Sequence, residues 1–541
     1  MGKKLWSTMI VLIIVAACGT PTGTPTGTST TGPTGTGAAP TGTGAAPTGT
    51  GAAPTGTGAA PTGTGAEPTG SAEPTGSAEP TGTPAAGPPA VPTVPTGYTE
   101  LDAALGADQP YKGKRVTIQT QWILGEGLNF DAAVADFEAA TGIEIVQESI
   151  ASQHELVLRT RIEGNTPPDL AVLAQPSAVV EYGGRGKTTN VATFMDPATL
   201  NEQFGAGFGT SLLTGEGGEI WGIPYKVDVK STIWYPIKAF ESHGYAVPTT
   251  WDEMKTLAAK IVADGNGSPW CVGIKDGQAT GWIATDWLED VMLRTAGVDA
   301  YNRWITNDLK FDSPEVRAAL AIIAEQWFTD GYVNGGYQSI TATDRLEPMD
   351  PMFPTDGNWE GFTPGCWMHR QSTWFGPDFF PDKRANPTAD SQFVVGEDIG
   401  IMYFPPIDPA QGNPVLGAGD TLMVLTPPPV EGVSTVRPEV MAVAEFLSTP
   451  QGLQRWIERG SATHANQTTP EEWYQSAGYK STVAADMVAN STALGFDASD
   501  LMPPEANRAF WDGITAWIDA GGTDAATDTF VQSVDAAWPA P

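Results

Sequence analysis

The chain has 541 residues, with 28 Lys and Arg against 62 Asp and Glu, for a formal net charge of −34. Such an excess of acid argues against nucleic acid as a partner and against flat adsorption on an anionic bilayer; it describes a soluble, self-repelling body facing water. The N-terminal part cannot form a core, which leaves about 440 residues, enough for two or three domains. There are 18 Trp. Most belong in cores, but Trp faces in an acidic cleft suit sugars, whose rings lie on aromatics while carboxylates and amides bind their hydroxyls.

Met1–Lys4 carries two lysines and Thr8–Ala17 is a short apolar run. A bilayer span needs about twenty apolar residues, so this run reads as a signal-peptide core, residues 1–17. Val15-Ala16-Ala17-Cys18 resembles the bacterial lipoprotein lipobox, which implies cleavage before Cys18 and lipidation of its thiol. Residues 18–98 then form a tether. The unit PTGTGAA starts at Pro33 and recurs from Pro40, Pro47 and Pro54, then degenerates to PTGTGAE and PTGSAE. Pro and Gly at this density block helix and sheet, and no apolar seam supports a coiled coil. As a flexible coil the tether averages ~50 Å end to end.

Lys114–Trp122 alternates like a strand and Asn129 is read as the cap of a helix with Phe130, Val134 and Phe137 on one face, stopped by Gly142. Gly142–Ser149 is a second strand, residues 154–164 a helix, and Leu170–Ala174 a third strand. This alternation predicts a parallel α/β sheet, whose ligands sit beyond the carboxyl ends of strands. Trp122, Glu126 and Gln175 follow such ends. Trp221–Tyr235 (WGIPYKVDVKSTIWY) reads as a strand leaving one lobe for the next, with Asp228 at its middle. A buried strand with a satisfied acid would read the same way.

These segments resemble the extracellular solute-binding proteins of ABC sugar importers, the broad family of maltose-binding protein. The resemblance rests on Ala140-Thr141-Gly142-Ile143 before strand two, Pro168-Asp169 at strand three, the crossover Gly222–Tyr235 and Pro248–Glu253. It implies a two-lobed periplasmic-binding-protein fold of type II, with the ligand cleft between lobes joined by crossover strands. Lobe 1 is expected over 112–226 plus about 400–447, and lobe 2 over about 229–398 plus 449–541. Glu397–Pro406 is read as the second crossover, and the chain is expected to cross again near Thr449-Pro450.

Further on, Thr250 and Glu253 form a capping box and Ser313-Pro314-Glu315 starts another helix. Trp282 and Asp286 share a face if Gly281–Asp290 is helical. Gly265–Ile274, Gly281–Asp286, Asp350–Phe353, Gly365–Phe375 and Leu416–Asp420 look like the α-glucoside-binding branch of the family, which implies a glucoside or short α-linked oligosaccharide. Arg370, Gln371 and Trp374 offer a forked cation, an amide and a stacking ring; an ion pair is the plainer role for Arg370. Asp420 follows glycines that permit close backbone approach. Trp511 aligns with a family segment whose aromatic stacks on sugar, and core packing is as good a role for it. Cys271 and Cys366, the remaining cysteines, form an expected disulfide outside the cytoplasm.

No catalytic constellation is present: the four His form neither HExxH nor a triad-like motif, and no phosphate loop appears. Asp264–Ser268 starts like a calcium loop but Lys275 stands where the closing Glu belongs, so no metal site is expected. The chain is expected to be a non-enzymatic, monomeric receptor that needs no cofactor. It is held at the outer face of the bacterial cytoplasmic membrane by its lipid alone and delivers sugar to the permease subunits of an ABC importer. A lipid-anchored glycoside hydrolase, or the same fold with a non-sugar ligand, is the alternative.

Overall fold

The computed structural model describes residues 90–205, 209–429 and 435–539. The leader, Cys18 and the repeat lie outside the described residues. Ala90–Tyr98, counted above with the tether, already belongs to the globule. The Ala90 amide donates to Asp136 at 2.9 Å, and Tyr98 and Leu101 are buried in the same core as Phe130 and Phe137. The helix Thr99–Leu105 that follows packs along the helix Pro438–Ser448.

Among the described residues eleven strands form two sheets: β1 Arg115–Thr120, β2 Glu144–Ser149, β3 Leu170–Leu173, β4 Ile223–Val229, β5 Thr232–Pro236, β6 Ser268–Trp270, β7 Cys366–Arg370, β8 Ile399–Tyr403, β9 Pro414–Val424, β10 Thr463–His464 and β11 Ala493–Phe496. The first sheet runs β10-β4-β9-β3-β1-β2, with β11 alongside β9. The β2-β1-β3 pairs are parallel, as helical crossovers between strands require. β9 runs antiparallel to both β3 and β4, which inserts a late strand into the middle of an early sheet. The second sheet runs β6-β7-β5-β8. The chain thus folds as an α/β protein of two lobes with a type II sheet order.

Local signals explain most elements. The helix Gly125–Thr141 stops at Gly142, whose φ of 70° suits the left-handed stop. Asn129 does not cap this helix: it starts a turn earlier, because the Gly125-Glu126-Gly127 run continues the helical turn, and Asn129 is buried within it. The capping box Thr250/Glu253 forms on the helix Trp251–Ala263, and the Ser313 side chain accepts from Val316 N at the head of Pro314–Trp327.

Among the described residues the lobes are joined three times. β4 passes into β5 through Lys230 and Ser231. The second crossing lies later than Glu397–Pro406, since β8 pairs antiparallel with β5 through Thr232↔Tyr403 to Pro236↔Ile399 and stays in lobe 2. β9 itself makes that crossing: Pro414–Gly417 pairs with β11, and Gly417–Leu422 with β4. The third crossing lies beyond His464 rather than near Thr449-Pro450. Leu453, Trp456 and Ile457 of the helix Gln451–Glu458 fill the lobe 1 core, and β10 pairs with β4. Cys271 and Cys366 form a disulfide inside lobe 2, with Cα atoms 5.4 Å apart.

Candidate ligand-binding site

β4 carries alternate side chains to one face, so Lys226 and Asp228 lie together. The Lys226 ammonium is buried beside three carboxylates: Glu126 Oε1 at 2.9 Å, Asp420 Oδ2 at 3.5 Å and Asp228 Oδ2 at 3.9 Å. It also lies over the Trp456 ring at 5.1 Å. Burial works against its charge, but the three carboxylates outweigh that and hold its pKa above the ordinary lysine range. Burial holds the Glu126 and Asp228 carboxyls above their ordinary range, with Lys226 opposing. Such a cluster offers a polyol a donor in the ammonium and acceptors in the carboxylates.

Trp122, a candidate for its place after a strand end, is buried. Its ring is packed on Phe130, Tyr225 and Trp456 with centroids 5.1–5.6 Å away, and it is 1% exposed. Its indole N–H donates to Asp420 Oδ2 at 3.0 Å, while Gln121 Nε2 donates to Asp420 Oδ1 at 2.7 Å. Trp122 therefore orients Asp420. The Gln121 Oε1 atom is buried without a partner.

Lobe 2 supplies an aromatic wall. Trp282 opens the helix Trp282–Thr295 after Gly281, whose φ is 117°. A Cβ at Gly281 would stand 2.5 Å from the Trp511 carbonyl oxygen, so glycine lets the two segments touch. Trp282 and Trp374 are both half-buried, with centroids 6.1 Å apart and planes at 52°. Asp276 Oδ2 accepts from Trp282 Nε1 at 3.0 Å and pairs with Arg345 Nε at 2.9 Å. The Arg345 guanidinium lies 5.4 Å from the Trp374 ring centre, and the Lys230 ammonium 5.1 Å from that of Trp282. One ion pair thus braces two indoles whose remaining area can take a sugar ring.

Asp286 and Arg370 do not line this wall. Both are fully buried beneath the crossover in a chain of ion pairs. Lys230 meets Asp286 at 2.8 Å and also pairs with Asp497; Arg370 meets Asp286 at 2.9 Å and Asp290 at 2.6 Å; Arg294 meets Asp290 at 2.6 Å. Burial raises Asp286 to about 6 against the pull of Lys230 and Arg370. Asp286, Glu289 and Asp497 converge closely enough to hold a cation, and the Lys230 ammonium pairs with two of them. These groups hold the hinge in shape.

Gln371 is buried too; its carbonyl accepts from Thr232 and Trp234, and its Oε1 from Ser372 N at 2.9 Å. Trp511 is 7% exposed and its Nε1 has no hydrogen-bond partner. Gln175 lies where the lobes meet, donating to Asp500 Oδ1 at 3.0 Å. Asp228 borders a small pocket at the hinge with Thr373, Thr463, Lys480 and Ser481. Burial lowers the Lys480 ammonium to about 8, with Asp378 and Asp228 opposing it. The structure thus brings Glu126, Asp228 and Asp420 together, and Trp282 with Trp374. Sequence reasoning missed Lys226, Asp276 and Arg345. Lys226 was detectable two positions from Asp228 on a strand; Asp276 and Arg345, 69 positions apart (345 − 276), left no local signal.

Residues 122–453 match the family of bacterial extracellular solute-binding proteins. This chain belongs to that family. It is 32% identical over 437 residues to the alpha-glucosides-binding periplasmic protein AglE of Rhizobium meliloti, covering 79% of this chain and 87% of the relative. It is 29% identical to the osmoprotective compounds-binding protein GgtB of Synechocystis, over 79% of this chain and 93% of that one. Among solved structures, the solute receptor AcbH, described as preferring β-D-galactopyranose, superposes with a TM-score of 0.63 at 14% identity over 78% of this chain and 98% of its own. The maltose-bound MalE3 of T. maritima does so with 0.59 at 15%, over 78% and 98%. At these identities the structures speak for the two-lobed fold alone.

Proposed function

We propose that this family member is the receptor of an ABC importer. It captures an α-glucoside or short α-linked oligosaccharide between its lobes, stacks it on Trp282 and Trp374, binds its hydroxyls through the carboxylates around Lys226, and presents the closed form to a permease. The observation that carries the reading is the braced indole pair in a chain 32% identical to a protein named for α-glucoside binding. The ligand drives closure only by its greater affinity for the closed form. Chemistry on the sugar is no part of this role: Glu126, Asp228 and Asp420 are all engaged with one buried ammonium. Cys18 carries the lipid that keeps the receptor, as a monomer, at the outer face of the cytoplasmic membrane.

The test is intrinsic fluorescence with calorimetry on residues 90–541, titrated with glucose, maltose, trehalose, sucrose and maltotriose. Saturable binding in the micromolar range or tighter, with the sugar recovered intact, supports the reading. Absence of binding to all five, or hydrolysis of any, overturns it.

A further inference from the structure

The two lobes touch at separate points around the cleft. The Asn129 side chain of lobe 1 donates to Asp378 Oδ2 of lobe 2 at 2.8 Å. A Cβ on Gly277 would stand 2.0 Å from the Ser152 carbonyl oxygen, so the backbones of the two lobes are in direct contact there. A third contact is built on an acid. Gln175 Nε2 donates to Asp500 Oδ1 at 3.0 Å, and Ser177 Oγ donates to the Asp500 carbonyl oxygen at 2.9 Å. Gln175 and Ser177 stand at the end of β3 and the start of the helix Pro176–Gly184 in lobe 1. Asp500 lies on the short turn Ala498–Leu501, which is bound into lobe 2 by Glu289 accepting from Ala498 N at 2.9 Å and Ser499 N at 3.2 Å.

We propose that Asp500 is a latch between the lobes, a positioning residue for ligand capture, and that closing the lobes on it takes up a proton. This deepens the receptor reading and rests on it for its role in capture. The helices Gly297–Ile305 and Pro504–Asp519 also pack on this turn and bring Tyr301, which donates to Glu289, and Asn507, which donates to the Ser499 carbonyl; the charged groups around Asp500 come from three other places. Its own turn supplies Asp497, which accepts from Asp500 N at 3.0 Å. The helix Trp282–Thr295 supplies Asp286 and Glu289, and the crossover supplies Lys230, whose ammonium is engaged by Asp286 and Asp497. Lobe 1 brings only an amide and a hydroxyl. Shutting a carboxyl at 4% exposure among three other acids and one shared cation favours its neutral form, although the Gln175 amide donating to Oδ1 favours the anion. Burial, followed by Asp497, still holds the Asp500 carboxyl well above the usual range in the closed form, with Lys230 and Gln175 opposing. Opened to water it returns toward about 3.9. Between those limits closure binds one proton more than the open form, so closing weakens by up to about tenfold per pH unit as pH rises.

The test uses the full chain carrying Cys18→Ser, with nitroxide labels on Arg159→Cys in lobe 1 and Glu325→Cys in lobe 2. Interlobe distances are measured by pulsed electron spin resonance without sugar from pH 5 to 8. The expected result is a closed population that falls with rising pH in this background and is flat with pH in Asp500→Asn, which keeps the acceptor but not the proton. Gln175→Ala leaves the 497–501 turn intact and is expected to lower the closed population about fivefold at pH 5. A pH response unchanged by Asp500→Asn, or no response in the parent, overturns the latch. Since no sugar is present, a chain that closes with acid yet binds none of the five sugars keeps the latch and loses the receptor reading. Binding of maltose with a pH slope untouched by Asp500→Asn does the reverse.

Discussion

Burial decides what each charged or aromatic side chain does here. Trp282 and Trp374 keep exposed area and are held by Asp276 and Arg345, so Trp374→Ala is expected to weaken binding of the best sugar about tenfold, or about 1.4 kcal/mol. Asp276→Asn, which weakens the brace without removing a ring, should weaken it less; calorimetry reads both. Arg370 shows the opposite case. With it gone, Asp286 keeps only Lys230, and Asp290 keeps Arg294 and the Ser231 hydroxyl at 2.6 Å. Arg370→Met is therefore expected to cost about 3 kcal/mol in urea unfolding while leaving the Trp282–Trp374 platform in place. Arg370, Asp286 and Gln371 carry the chemistry of a sugar site in the sequence. Nothing in their spacing distinguishes a cleft from the underside of a hinge, because that depends on partners 56 to 139 residues away.

At the level of single elements, the strand–helix–strand opening, the capping box and the Gly142 stop were legible because each is written within a few residues. The placement of β8 and β10 was not, because a strand's sheet is chosen by its distant partner: β5 for one and β4 for the other. The helix Thr99–Leu105 escaped notice beside so much repeat. Its dock includes a buried acid, Glu445, whose Oε2 accepts from Leu101 N at 2.7 Å. Burial, opposed by that bond and reinforced by Glu100, raises Glu445 to about 8. The folded form then holds this proton more tightly than the unfolded chain. Its contribution to stability is full below about 4.5 and is lost as pH rises toward 8. Melting temperature should fall between pH 5 and 8, and fall less in Glu445→Gln.

On the scale of the whole molecule, the two-lobed α/β architecture followed from the order of elements, while the crossing points did not, since β9 serves both lobes within one strand. Closing around a ligand should shrink the radius of gyration of residues 90–541 in solution scattering when a bound sugar is added, with no change for a sugar that does not bind. The bridge Cys271–Cys366 closes a loop of 95 residues, for which the chain-entropy model gives about 4–5 kcal/mol. Its reduction should lower the urea midpoint by a corresponding amount. Both cysteines lie in the same lobe, beside strands that pair with each other and away from all three connections. The covalent staple therefore stiffens one jaw and leaves the joint free. A reducing environment would soften the jaw that carries the indole platform long before it altered how far the mouth can open.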